Sequence, residues 1–162
     1  MSDTLAIIGM GNTEMGDDGI GVLLVEKLRN ELETGAWTPF PARRIELSAP
    51  GRDAVLAGAC LMEASAALLV DAADMKMEAG EFRVFSPEDA DILGAAEAAG
   101  SAHTLPLGSV LEMLRNLGSL PRIRLMGVQP AEIRSGSSVS RLLRERIPEM
   151  LDRIKEEVSL LP

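Results

Sequence analysis

Thr4 to Met10 (TLAIIGM) is a near-continuous apolar run, the length expected of a strand buried on both faces as in a parallel sheet. Beyond a glycine-rich turn, Ile20, Leu23, Leu24, Leu28 and Leu32 recur at helical spacing, with Glu26, Arg29 and Asn30 facing outward. This predicts a helix that packs back on the strand and ends around Thr34-Gly35. After GAWTPFP, the pattern predicts a second strand over Arg43 to Ser48, a Pro50-Gly51 turn and a helix from about Asp53 to Glu63. Ala67 to Val70 then reads as a third buried strand, closed by Asp71. The order β-α-β-α-β, with right-handed crossovers, implies a parallel sheet with helices over its faces.

The next connection breaks the alternation. From Asp74 to Gly80 the chain is too short for the helical crossover that parallel neighbours require, so Glu81 to Phe85 is expected to run antiparallel. Ser86-Pro87-Glu88 reads as a helix start, and Gly94 to Ser101 as a loop without periodicity. Leu107, Val110, Leu111 and Leu114 mark another helix, with Pro106 in its first turn and Gly118 as terminator. Arg122 to Val128 is the fifth strand. A last helix over Val139 to Val158 carries the stripe Leu142, Leu143, Ile147, Met150, Leu151, Ile154 and Val158, and Pro148 predicts a kink or the start of a second helix. The expected class is α/β: a three-layer αβα sandwich with a mixed five-stranded sheet, one strand antiparallel, in a single domain over residues 1–162.

Composition narrows the partners. A net charge of -9 and a pI near 4.7 argue against nucleic acid and anionic membranes, which need a basic field. The apolar stretch Ala64 to Val70 is far too short to span a membrane, and no basic region precedes the first apolar run, so a cytoplasmic protein is expected. Cys60, the single cysteine, cannot form an internal disulfide and fits a helix as a small buried hydrophobe, which disfavours a thiol protease. The nine methionines, Met75 and Met77 among them, read as core filler and surface rather than metal ligands.

The chemistry gathers around GMGNTEMGDDGIG, Gly9 to Gly21. Gly9 and Gly11 match the start of a dinucleotide fingerprint, but Glu14 stands where its third glycine belongs, and Asp17 and Asp18 would repel a pyrophosphate at a helix N-terminus. A nucleotide-binding domain is therefore the weakest alternative. Asp18 comes off the carboxyl end of the first strand, and Asp71 stands at that of the third. His103, the sole histidine, precedes a helix that must start at the same edge. Two carboxylates and a neutral imidazole form a mixed oxygen and nitrogen set suited to a divalent transition metal with open positions. Asp17 reads as a first-turn acid. Asp74 is expected to add negative charge nearby, and the glycines to give a substrate backbone room to approach.

Further motifs follow in order: LLVEKL after the glycine-rich turn, SAP at Ser48 to Pro50, LLVDAADM at Leu68 to Met75, GEFRV with SPEDA, AHTLPL at Ala102 to Leu107, and GVQP at Gly127 to Pro130. From Leu5 to Val158 the chain resembles the hydrogenase maturation endopeptidases, which remove a C-terminal extension from the large subunit of nickel-iron hydrogenases, and it looks most like the hydrogenase 3-type branch. The resemblance implies a phosphorylase/hydrolase-like mixed αβα sheet with one antiparallel strand. It carries the family's metal ligands onto Asp18, Asp71 and His103, which would also be the catalytic set. The metal it implies is nickel supplied by the substrate, the nickel-loaded large-subunit precursor, with no permanent cofactor. A monomer is expected. One departure is Leu47 ahead of Ser48-Ala49-Pro50, where the family usually has a glycine pair. The rival from another class is a non-enzymatic, nickel-dependent binding or chaperone module.

Overall fold

Alternation of side chains along the strands decides which helix covers which face. The computed structural model describes residues 3–39, 43–92 and 107–162. It contains β1 (Thr4–Met10), β2 (Arg44–Gly51), β3 (Ala66–Ala72), β4 (Phe82–Phe85) and β5 (Arg122–Val128), in the sheet order β2-β1-β3-β5-β4. β1 pairs in parallel with β2 and β3, and β3 with β5; β4 runs antiparallel to β5, with Phe82 opposite Val128. This is the mixed sheet expected from the short connection after Asp74.

β1 is buried at every position, and its two faces enter two different cores. Leu5 and Ile7 join Leu68, Val70, Met126 and Val128, packed under α1 (Ile20–Thr34). Ala6, Ile8 and Met10 join Leu69, Ile123 and Leu125, packed under α2 (Ala54–Glu63) and α3 (Leu107–Asn116). A strand with helices on both faces must be apolar on both, which is why TLAIIGM reads as continuous rather than alternating. α4 (Arg141–Leu160) closes the α1 face through Leu143, Ile147, Met150, Leu151, Ile154 and Val158.

Three expectations about helices are corrected. α4 passes through Pro148 as one helix, so no second helix begins there. Proline removes one N–H from the ladder, but Leu143 and Ile147 before it and Met150, Leu151 and Ile154 after it are all buried in one core, and that in-phase burial holds the helix together. Leu142 stands outside the buried stripe and is exposed. Arg29 is half-buried rather than outward-facing, and its guanidinium donates to the carbonyl of Leu47 at 3.0 Å. Leu47, the departure noted in β2, packs against the α1 core. The loop expected over Gly94 to Ser101, together with His103 and Pro106, lies outside the described residues. Among the described residues no helix is long and apolar enough to cross a membrane.

Helix α1 meets the sheet through backbone. Gly21, in the first turn of α1, lies so near the sheet that a Cβ there would sit 2.2 Å from the carbonyl oxygen of Val70 and 2.5 Å from that of Met10. A Cβ on Gly9 would sit 2.4 Å from the Gly21 carbonyl oxygen. Gly35, which ends α1 in the left-handed region at φ 77°, has open space around it. Gly21→Ala is expected to cost about 3 kcal/mol or more in urea-induced unfolding, because backbone cannot yield as a side chain does. Gly35→Ala should cost only about 1 kcal/mol, the strain of a left-handed alanine.

Candidate functional site

The turn between β1 and α1 is built by short polar contacts. Gly11, at φ 114°, donates its N–H to Gly51 O at 2.9 Å, which ties the turn to the end of β2. The Asn12 side-chain oxygen accepts from Glu14 N–H at 3.0 Å, and its carbonyl accepts from Met15 N–H at 3.1 Å. A 3-10 turn, Gly16–Gly19, then leads into α1. Asp18 lies within it, half-buried, with Oδ2 accepting from Asn12 N–H at 2.8 Å, so its carboxylate is oriented by the turn that carries it.

Asp71 reaches the same place from β3. It is the penultimate residue of that strand, level with Gly127 of β5, rather than a residue beyond the strand end. A Cβ on Gly11 would lie 1.8 Å from the Asp18 carbonyl oxygen and 3.3 Å from Asp71 Oδ1. Gly11 is therefore wedged between the two aspartates. The position is the carboxyl edge between β1 and β3, where the chain leaves β1 for β2 on one side and β3 for β4 on the other, the crevice at which α/β sheets bind ligands. Of the three residues predicted to converge, the structure brings Asp18 and Asp71 to this edge; His103 lies outside the described residues. Among the described residues no group of three His, Cys, Asp or Glu side chains is placed to hold a metal ion.

The glycines have another role than the one expected. The space beside Gly9, Gly11, Gly16 and Gly21 is filled by the chain's own backbone, at Gly21 O, Asp18 O, Glu132 O and Val70 O respectively. They let strand, turn and helix close on one another and do not open a path for a substrate backbone.

Asp17 is the residue that sequence reasoning underestimated. Rather than an acid on the first turn of α1, it is 0% exposed and bound to the segment between β5 and α4. Its Oδ2 accepts from Ala131 N–H at 2.8 Å, Glu132 N–H at 3.0 Å and the Ser140 hydroxyl at 3.0 Å, while Oδ1 accepts from Ser140 N–H at 2.6 Å. Main-chain bonds run alongside, from Asp17 N–H to Glu132 O, Gly16 N–H to Ser137 O and Gly136 N–H to Glu14 O, at 2.8 to 2.9 Å. Four donors on one carboxylate meet the cost of burying it. The only signal in the sequence was a second acid beside Asp18, since the donors come from more than a hundred residues away.

Asp74 does not add open negative charge either. Lys76 Nζ lies 2.5 Å from its Oδ2, and Lys76 N–H donates to its Oδ1 at 3.2 Å. The Lys76 ammonium, then the Lys76 amide, hold the Asp74 carboxyl below its ordinary value. Gln129 of the GVQP motif, nearly buried at the end of β5, fixes this loop: its Oε1 accepts from Met75 N–H at 2.7 Å and Met77 N–H at 3.4 Å. Cys60 is half-buried rather than fully buried, and its thiol donates to Ser48 Oγ at 3.4 Å.

The same fold recurs in known proteins. A family model described as hydrogenase maturation protease matches residues 49–157. The hydrogenase 3 maturation protease of Escherichia coli strain K12 is 32% identical over 130 residues, 80% of this chain and 74% of that protein. The chain belongs to the hydrogenase maturation protease family. Members of this family are endopeptidases, hydrolases acting on peptide bonds. The fold agrees with that of the maturating endopeptidase HybD from E. coli, with a TM-score of 0.74 at 22% identity over 95% of this chain and 90% of that one. The maturation protease HycI from Thermococcus kodakarensis KOD1 gives a TM-score of 0.68 at 27% identity, over 97% and 93%. The family-model match begins beyond the turn that carries Asp17 and Asp18, and includes Asp71.

In this maturation protease, Gln129→Leu should leave the Met75 amide without its acceptor while keeping the side-chain volume. Hydrogen exchange at that amide is expected to accelerate by about tenfold, in line with the ~1–2 kcal/mol cost of an unmet buried donor. Unchanged exchange would show that the 73–80 loop is held by other contacts.

Proposed function

We propose that this protease removes the C-terminal extension of a nickel-iron hydrogenase large-subunit precursor after nickel insertion, working as a monomer in the cytoplasm. The nickel belongs to the substrate. In this reading Asp18, Asp71 and His103 grip it, and cleavage follows only when it has been loaded. The observation that carries the reading is the wedge at Gly11, against which the Asp18 main chain and the Asp71 carboxylate both pack at the carboxyl edge of the parallel strands. Oxygen donors and an imidazole match a borderline divalent cation, and such a set leaves coordination positions for groups of the substrate.

Hydrolysis requires a water oxygen to attack the scissile carbonyl, a proton to leave that water, and a proton to reach the departing nitrogen. A divalent ion beside the bond acidifies the water and polarises the carbonyl. The carboxylates of Asp18 and Asp71 supply proton acceptors within the same set of groups. Asp17 is buried under main-chain donors and Asp74 is paired with Lys76, which supports giving these roles to Asp18 and Asp71 in this reading.

Mass analysis of the precursor after incubation tests this. Wild-type protein is expected to shorten nickel-loaded precursor and leave nickel-free precursor intact. Asp71→Ala and His103→Ala should slow processing by about a hundredfold or more, equivalent to ~2.7 kcal/mol of transition-state stabilisation. Full processing by His103→Ala would remove it from the set, and tight binding without shortening would favour a chaperone over an endopeptidase.

A further inference from the structure

We propose that Asp17 is a positioning residue for Asp18. The inference rests on the reading of Asp18 as a ligand for the substrate's nickel. Asp17 and Asp18 share one peptide unit inside the 3-10 turn, yet their carboxylates go to different places. That of Asp17 is buried and takes the N–H groups of Ala131, Glu132 and Ser140 and the Ser140 hydroxyl. That of Asp18 is half-buried and takes Asn12 N–H. The first carboxylate thereby anchors the main chain from which the second projects.

The anchor point is itself rigid. Ser140 caps α4, its Oγ accepting from Leu143 N–H at 3.4 Å while its hydroxyl proton goes to Asp17. Residues 131–137 return along the turn through the bonds of Gly16 and Gly136 and the bridge between Met15 and Ser137. The position of Asp18 is thus tied to the segment that leads into α4. A ligand displaced by about 1 Å can cost a hundredfold in rate, so a clasp of this kind has a consequence for turnover beyond its contribution to folding.

Asn in place of Asp17 keeps the shape but turns one acceptor into an N–H₂ group facing an N–H donor. The test measures kcat and KM for nickel-loaded precursor well below the unfolding temperature of each variant, for Asp17→Asn, Ser140→Ala, Asp18→Ala and Glu157→Gln. Glu157 is a control: a buried carboxylate on α4 paired with Arg124 and Arg153, toward the opposite end of that helix. Asp17→Asn is expected to lower kcat by about tenfold or more with KM within about twofold, and Ser140→Ala to lower it by about threefold. Glu157→Gln should lower the unfolding temperature and leave kcat unchanged. If Asp17→Asn does not fold, Ser140→Ala carries the test alone. Unchanged kcat in the folded variant, or an equal fall of kcat in Glu157→Gln, overturns the positioning role. Asp18→Ala separates the two levels: if it is inactive while Asp17→Asn is not, the proposal alone fails, and if it still processes precursor, the reading of Asp18 fails and the proposal with it.

Discussion

α1 approaches β1 and β3 more closely than any side chain would permit, and the rest of the site follows from that contact. With hydrogen at Gly21 and Gly9, helix and strand meet carbonyl to Cα, so the 3-10 turn between them is short and lies directly over the end of β3. Gly11 then fits between Asp18 and Asp71. A methyl group at any of these positions would force helix from sheet, and both aspartates would lose their common edge. Close packing of this kind is unforgiving because backbone atoms have no rotamer to change.

A second constraint ties the turn to the far end of the chain. The Asp17 carboxylate is the point at which the first turn and the segment before α4 become one unit. Burying a charge is tolerable where hydrogen-bond donors surround it, and here main-chain N–H groups and one hydroxyl do so. The arrangement divides labour between neighbouring acids of identical chemistry: one is spent on structure, and the next is carried toward the edge. Asp74 is likewise engaged, by Lys76 and Gln129. The local field at the edge is thus shaped less by the number of acids in the motifs than by which of them the fold has already satisfied.

Membership in a protease family gives this division a functional sense. In the reading proposed above, in which the substrate brings the metal, ligands held ready but incomplete would bind the ion only together with the polypeptide that carries it. Helices cover both faces of the sheet, and the hydrogen bonds at Asp17 tie the turn to the segment before α4.

Much of this was legible in the sequence because it is local. The apolar run of β1, the short connection that reverses β4, the start of α2 near Asp53 and the helix end at Gly35 each depend on a few adjacent residues, and Asp18 and Asp71 were marked by their places after or at the end of strands. Pro148 misled for the same reason: its local effect is real, but burial on both sides of it outweighs one missing hydrogen bond. The meaning of the glycines and of Asp17 lay beyond any window of sequence. A glycine shows that something comes close without saying what, and in this fold it is Val70, Met10, Asp18 and Glu132. The sequence by itself determined the strands, the helices and the chemistry available; the tertiary structure alone decided which acid is buried and which stands at the edge, because that depends on donors delivered by Ala131, Glu132 and Ser140, whose position exists only once the chain has folded.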